Sequence, residues 1–193
     1  MAHGRRALSE EEAEQLIWAG GDKMMGWAFE RAGGPLPDHE ADAALTVFLD
    51  DYGNNCTVET RFFPGALEAI DTLLSQECRV ALCTNKRTSL TRRVLDGLNA
   101  GHLFEPVVCG DTVATRKPEP EMIHHILDHH GIDRSESVMV GDSFADVDAA
   151  KAAGVTSIAV SHGYSVKPVH ELGADAVIDH FDALVPALSK IAG

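Results

Sequence analysis

Apolar residues recur along this chain with two different rhythms. From Ser9 to about Val58 the spacing is helical only. Ser9 followed by Glu10, Glu11 and Glu12 predicts a capping box, with Leu16 and Ile17 leading the apolar face behind it. Gly20-Gly21 interrupts the pattern, and Asp22 is expected to cap a second helix carrying Met24, Trp27 and Ala28. Gly33-Gly34-Pro35 ends it. A third helix is predicted from near Asp38 through Ala41, Ala44, Leu45, Phe48, Leu49 and Tyr52, with Gly53 as its stop.

Beyond Thr60 short β runs alternate with helices. Pro64-Gly65 opens a helix through Leu67, Ile70, Leu73 and Leu74, with proline in its first turn. Arg79 to Thr84 predicts a buried strand, and Leu90, Val94, Leu95 and Leu98 the helix after it. Further strands are expected at Val107 to Cys109, Val138 to Val140, Ser157 to Val160 and Ala176 to Ile178, with helices over 119–130, about 144–153 and 181–191 between and beyond them. Near-continuous apolar strands separated by helices imply a parallel sheet covered on both faces, so this half is α/β. The predicted organisation is a helical unit over 1–58 and an α/β core over 59–193.

Composition narrows the partners. Lys plus Arg number 16 against 30 Asp plus Glu, a net charge of -14 that repels nucleic acid and anionic membrane. An anionic ligand then requires a metal ion or a local basic cluster to reverse the field. Cys56, Cys78, Cys83 and Cys109 lack C-x-x-C spacing and read as reduced core residues. Neither a secretory leader nor an apolar run of ~20 residues is present, which makes the cytoplasm the default compartment.

Candidate chemistry gathers where a parallel sheet binds ligands, at the carboxyl ends of its strands. Thr84-Asn85-Lys86 closes one strand with a hydroxyl, an amide and an ammonium beside a helix N-terminus, a setting that favours phosphate. Arg116-Lys117-Pro118 follows the next strand. Gly141-Asp142-Ser143 closes the third, and Asp146 lies one helical turn on, able to face the same way as Asp142. Two carboxylates suit a hard cation such as Mg²⁺ better than zinc. Metal, lysine and hydroxyl around a phosphoryl group form the electrostatic clamp that phosphoryl transfer needs. Asp146 could instead hold Lys117 in place and keep it charged. None of these strand ends offers an obvious nucleophile. Thr46 to Gly53 imitates a strand ending in acids, but Asp50 and Asp51 are adjacent and the run fits a helical stripe better. Asp111 reads as a turn residue, and His125 and His129 as a solvated helix end rather than a metal pair.

These motifs, in this order, resemble those of the haloacid-dehalogenase superfamily, and within it the phosphoglycolate phosphatase branch. Thr84 in ALCTNK matches the second family motif, Lys117 in RKPEPE the third, and Asp142 and Asp146 in GDSFAD the fourth. TRFFPGALEAIDTL, VSHGYS and GADAVID extend the match, and the helical half resembles the family's α-helical cap. The resemblance implies Mg²⁺-dependent hydrolysis of a small phosphorylated metabolite through a phospho-aspartate. Thr84 and Asn85 would bind phosphoryl oxygens, Lys117 would neutralise charge, and Asp142, with Asp146 in support, would hold the metal. The family's first motif, Asp-x-Asp-Gly, supplies the nucleophile at the end of a central strand, and no such motif occurs here. A truncated chain or mis-assigned start is the simplest expectation. The sheet would then carry a slot, its neighbours ~9–10 Å apart in place of ~4.8 Å. The alternatives are a catalytically inactive module that holds phosphate through the same residues and, ranked last, a phospho-receiver domain.

Overall fold

The computed structural model describes residues 4–191, the side chains of Ala19 and Asp22 excepted. Its elements run α1 (Glu10–Glu14), α2 (Gly21–Gly33), α3 (Asp38–Asn55), α4 (Ala66–Ser75), β1 (Leu82–Thr84), α5 (Thr88–Gly97), β2 (Val107–Cys109), α6 (Glu121–His130), β3 (Val138–Gly141), α7 (Phe144–Ala153), β4 (Thr156–Val160), β5 (Ala176–Ile178) and α8 (Leu184–Ile191). The two rhythms of the sequence thus become a helical stretch followed by an α/β half. Among the described residues, no helix is long and apolar enough to cross a membrane.

All strand pairs are parallel, but they form two separate sheets, β1-β2 and β3-β4-β5. Side chains alternate between the faces, as strand geometry requires. On one face Val138 and Val140 of β3 pack with Ile158, Val160 and Ile178 against Ala69 of α4 and Leu184 of α8. Leu82 and Val107 join Ile70 and Leu95 on the same side. On the opposite face Cys83 and Met139 meet Ile123 of α6 and Ala149, Ala150 and Ala153 of α7. Helices therefore cover both sides of both sheets. The alanines of α7 let its backbone lie close on the strands. Full burial of a side chain such as Ile158 contributes about 1.5–3 kcal/mol.

Several expectations are corrected. The buried strand over 79–84 is reduced to Leu82–Thr84 and is only half-buried. β4, with a neighbour on each side, is buried along nearly its whole length. Among the described residues β1 has a strand partner on one edge only, and β3 likewise, so both keep an open flank. The Ser9 capping box forms, but α1 ends at Glu14, leaving Leu16 buried and Ile17 exposed beyond it. Gly53 does not stop α3: it sits inside the helix where Arg93 and Leu90 pack against it. Pro64 precedes α4, whose N-cap is Gly65 at φ 78°, and the last helix begins at Leu184 after a 3₁₀ turn. The capping role expected of Asp22 falls on a side chain outside the description, and Asp22 itself lies within α2. All four cysteines are free, but Cys78 is exposed because it lies in the turn after α4 rather than in the core.

Candidate active site

The residues singled out at the strand ends occupy one rim. Thr84 ends β1, and its hydroxyl accepts the Lys86 N–H at 3.2 Å, which turns the chain sharply away from the sheet. Asn85 is buried. Its amide donates to the Lys117 carbonyl at 2.9 Å and to the Trp18 carbonyl at 3.2 Å, tying the rim to the helical half. Trp18 in turn meets Phe144, the first residue of α7, ring centre to ring centre at 4.4 Å.

Lys117 is the hub. Its ammonium is buried and lies 2.6 Å from Asp146 Oδ1 and 2.6 Å from the Cys83 carbonyl. The second contact follows from strand geometry. Leu82 donates its N–H to Pro106, so Leu82 faces β2 and Cys83, the next residue, turns its polar groups to the open edge. Lys117 occupies that edge and satisfies the carbonyl. Burial alone would lower the lysine pKa, but the charge of Asp146, then Cys83 and the hydrogen bond to Asp146 hold it above its ordinary value. Asp146 shows the mirror image. Burial opposes its ionisation, yet Lys117 and the Ser143 hydrogen bonds keep its carboxyl below the usual range. The pair is charged at neutral pH.

The other oxygen of Asp146 accepts from the Asp142 N–H (3.2 Å), the Ser143 N–H (3.0 Å) and the Ser143 hydroxyl (2.7 Å). Asp146 therefore builds the turn that presents Asp142. A Cβ on Gly141 would run into the Asp146 side chain, so this approach needs glycine. Asp142 points its own carboxylate toward the loop after β4, where its Oδ2 accepts the Tyr164 N–H at 2.8 Å, and a Cβ on Gly163 would displace it. The loop is the VSHGYS stretch. Asp111 accepts from both the N–H and the hydroxyl of Thr88 at the start of α5, the turn role expected of it. Asp50 and Asp51 lie exposed on α3.

Sequence reasoning overlooked two contributors. Tyr52 reads there as one more apolar position of α3, yet its hydroxyl accepts from the Lys86 ammonium at 2.6 Å. Trp18 gave no signal, because its role lies in a backbone carbonyl. Two clefts, of 340 Å³ beside Trp27 and 390 Å³ beside Val80, lie away from this rim.

The donor set can be tested against magnesium. Among the described residues no three His, Cys, Asp or Glu side chains are grouped around a common point. Mg²⁺ does not need such a cage: it keeps several waters and binds through one or two carboxylates plus substrate phosphate. Asp142, an oxygen donor at the rim, fits that mode. Asp146 has its oxygens committed to Lys117 and the turn.

Comparison with known proteins agrees with the geometry. The model of the haloacid dehalogenase-like hydrolase family matches residues 5–160. A phosphoglycolate phosphatase of Agrobacterium fabrum is 36% identical over 97% of this chain and 80% of its own length. One from Rhodospirillum rubrum is 37% identical over 92% of this chain and 75% of its own. A crystal structure of a predicted phosphoglycolate phosphatase from Haemophilus somnus 129PT superposes with a TM-score of 0.88 at 25% identity, covering 96% of this chain and 84% of that one.

Proposed function

The chain belongs to the haloacid dehalogenase-like hydrolases, a phosphatase of the phosphoglycolate type, and we propose that its rim hydrolyses a small phosphomonoester with Mg²⁺ held by Asp142. The single observation that supports this most is the Lys117 bridge. It sets one buried positive charge between the carbonyl next to Thr84 and the carboxylate that presents Asp142. In a protein of net charge -14, that is where a phosphoryl group finds compensation.

Thr84 donates its hydroxyl to a phosphoryl oxygen, since its acceptor side is taken by the Lys86 N–H. Asn85 has spent its amide hydrogens on Trp18 and Lys117, and so contributes through its main-chain N–H. Lys117 neutralises charge on the transferring group and is kept protonated by Asp146. Mg²⁺ held by Asp142 would supply charge neutralisation for the phosphoryl group. The attacking carboxylate implied by the family resemblance is not found among the described rim residues: Asp142, Asp146 and Asp111 are all engaged.

The test is phosphate release from 2-phosphoglycolate with and without Mg²⁺, in the chain alone and with a strand carrying Asp-x-Asp-Gly added ahead of it. Mg²⁺-dependent release in the extended form is expected. No release in either form, alongside saturable phosphate binding, would refute hydrolysis and assign the chain to the inactive binding module.

A further inference from the structure

The residues directly after β4, Ser161 to Tyr164, form a wall against which Asp142 stands. At the far end of this loop the Tyr164 N–H donates to Asp142 Oδ2 at 2.8 Å, and a Cβ on Gly163 would overlap the Asp142 side chain. A loop this close cannot move toward the turn without displacing Asp142, and moving away breaks the hydrogen bond. Whatever fixes the loop therefore decides where the Asp142 carboxylate points.

At its near end the loop is pinned to the residues that follow β5. Ser161 donates its N–H to the Ile178 carbonyl at 3.0 Å and its hydroxyl to Asp179 Oδ1 at 2.7 Å. His162 Nδ1 lies 2.9 Å from the Asp179 carbonyl. A carbonyl oxygen only accepts, so Nδ1 carries the proton. The imidazole stands edge-on to Phe63, just ahead of α4, at 4.7 Å and to Phe181 at 5.5 Å between ring centres. Its Nε2 is buried and has no hydrogen-bond partner among the described residues. The two phenylalanines thus fix the place of the ring, and the single Nδ1 bond fixes its rotation. Gly163 carries no side chain, so His162 is the last anchored side chain before the Tyr164 N–H.

We propose that His162 is a positioning residue: through Gly163 and the Tyr164 N–H it holds the Asp142 carboxylate in the orientation that receives the cation. This role rests on the reading of Asp142 as the carboxylate for Mg²⁺ and adds the side chain that aims it. The rival is that His162 only fills the space beside two phenylalanines.

Two substitutions separate the donor from the ring. His162→Phe keeps an aromatic ring between Phe63 and Phe181 and removes the Nδ1 donor. His162→Asn keeps a donor near the Nδ1 position and gives up the ring. In hydrogen exchange without metal, the Tyr164 amide is expected to exchange about 3- to 10-fold faster in His162→Phe, the span of one hydrogen bond, and close to the wild-type rate in His162→Asn. Calorimetric titration of Mg²⁺ in the presence of inorganic phosphate should follow the same order, with affinity about 3- to 10-fold weaker in His162→Phe alone. Melting curves are expected to rank the variants the other way, His162→Asn being the less stable. His162→Leu, which also lacks the donor, takes the place of His162→Phe if that variant does not fold. An unchanged Tyr164 rate or Mg²⁺ affinity in the variant without a donor overturns this inference alone, as does equal or greater weakening in His162→Asn. Absence of Mg²⁺ binding by the wild-type chain overturns the cation reading of Asp142 and this one together.

Discussion

Replacing Lys117 by methionine probes the joint that holds the rim together. The substitution keeps the length of the side chain and removes the charge that Asp146 and the Cys83 carbonyl share at 2.6 Å each. Both partners then stay buried without a donor. Breaking a buried ion pair from one side costs about 3–5 kcal/mol, and the orphaned carbonyl belongs to the same penalty rather than adding its full 1–3 kcal/mol. For a domain of this size that shifts Tm by roughly 6–20 °C. Urea unfolding of Lys117→Met, Asp146→Asn and the double variant closes a cycle, whose coupling energy is expected to exceed about 2 kcal/mol. The pH dependence carries a second signature. The folded carboxyl of Asp146 lies below its ordinary 3.8, so its contribution is full above that value and is lost as pH falls further. Lys117 lies above its ordinary 10.5, so its contribution is full below 10.5 and is lost as pH rises through the folded value. The wild-type advantage over Lys117→Met should therefore be large at neutral pH and narrow on acidification, as the stranded carboxylate protonates. A loss under about 1 kcal/mol at pH 7, or one that does not change down to pH 3.5, would refute the assignment of Lys117 as the hub.

Other outcomes follow from single contacts. Asp142→Asn should leave the melting temperature near wild type while weakening the Mg²⁺ enhancement of phosphate binding by at least about tenfold, measured by calorimetry. Asp111→Ala removes the acceptor for the Thr88 N–H and hydroxyl and should cost about 1 kcal/mol in urea unfolding. Gly65→Ala forces φ 78° on a residue with a Cβ that meets Asp182 Oδ1 at 2.5 Å, so a loss of about 1–2 kcal/mol is expected in the same assay. In hydrogen exchange the Cys83 amide, turned to the open edge, should exchange much faster than the Thr84 amide one residue on; equal protection would contradict the open flank.

The α/β half was legible because its signals are local and redundant. Apolar runs such as Ser157 to Val160 admit no solvent face, and Gly141-Asp142-Ser143 announces a turn wherever it stands. The helical half was read less well at its ends. Gly53 has the composition of a stop, but Arg93 and Leu90 press on it from another element and the helix runs past it. That is a tertiary decision with no local trace. The strand expected from Arg79 shortened for a related reason: strand length depends on having neighbours, and β1 pairs only with β2. At the site, charge type and order pointed to Thr84, Lys117, Asp142 and Asp146. Which carboxylate turns to the loop after β4 and which holds a lysine could not be read from a four-residue spacing. Tyr52 escaped because an aromatic at a helical stripe position looks the same whether it fills a core or seats a cation.

The open edge and the site have a common cause. In a continuous sheet the polar groups of Cys83 would be spent on a neighbouring strand, and no lysine could reach the carbonyl. Here the edge of β1 is unpaired, so that carbonyl becomes an acceptor at the rim, and Lys117 is drawn to it from the turn after β2. The same ammonium reaches Asp146 at the head of α7, which rides on β3 and β4. One side chain thus links the β1-β2 sheet to the β3-β4-β5 sheet, while Cys83 and Met139 share the α6 and α7 face below it.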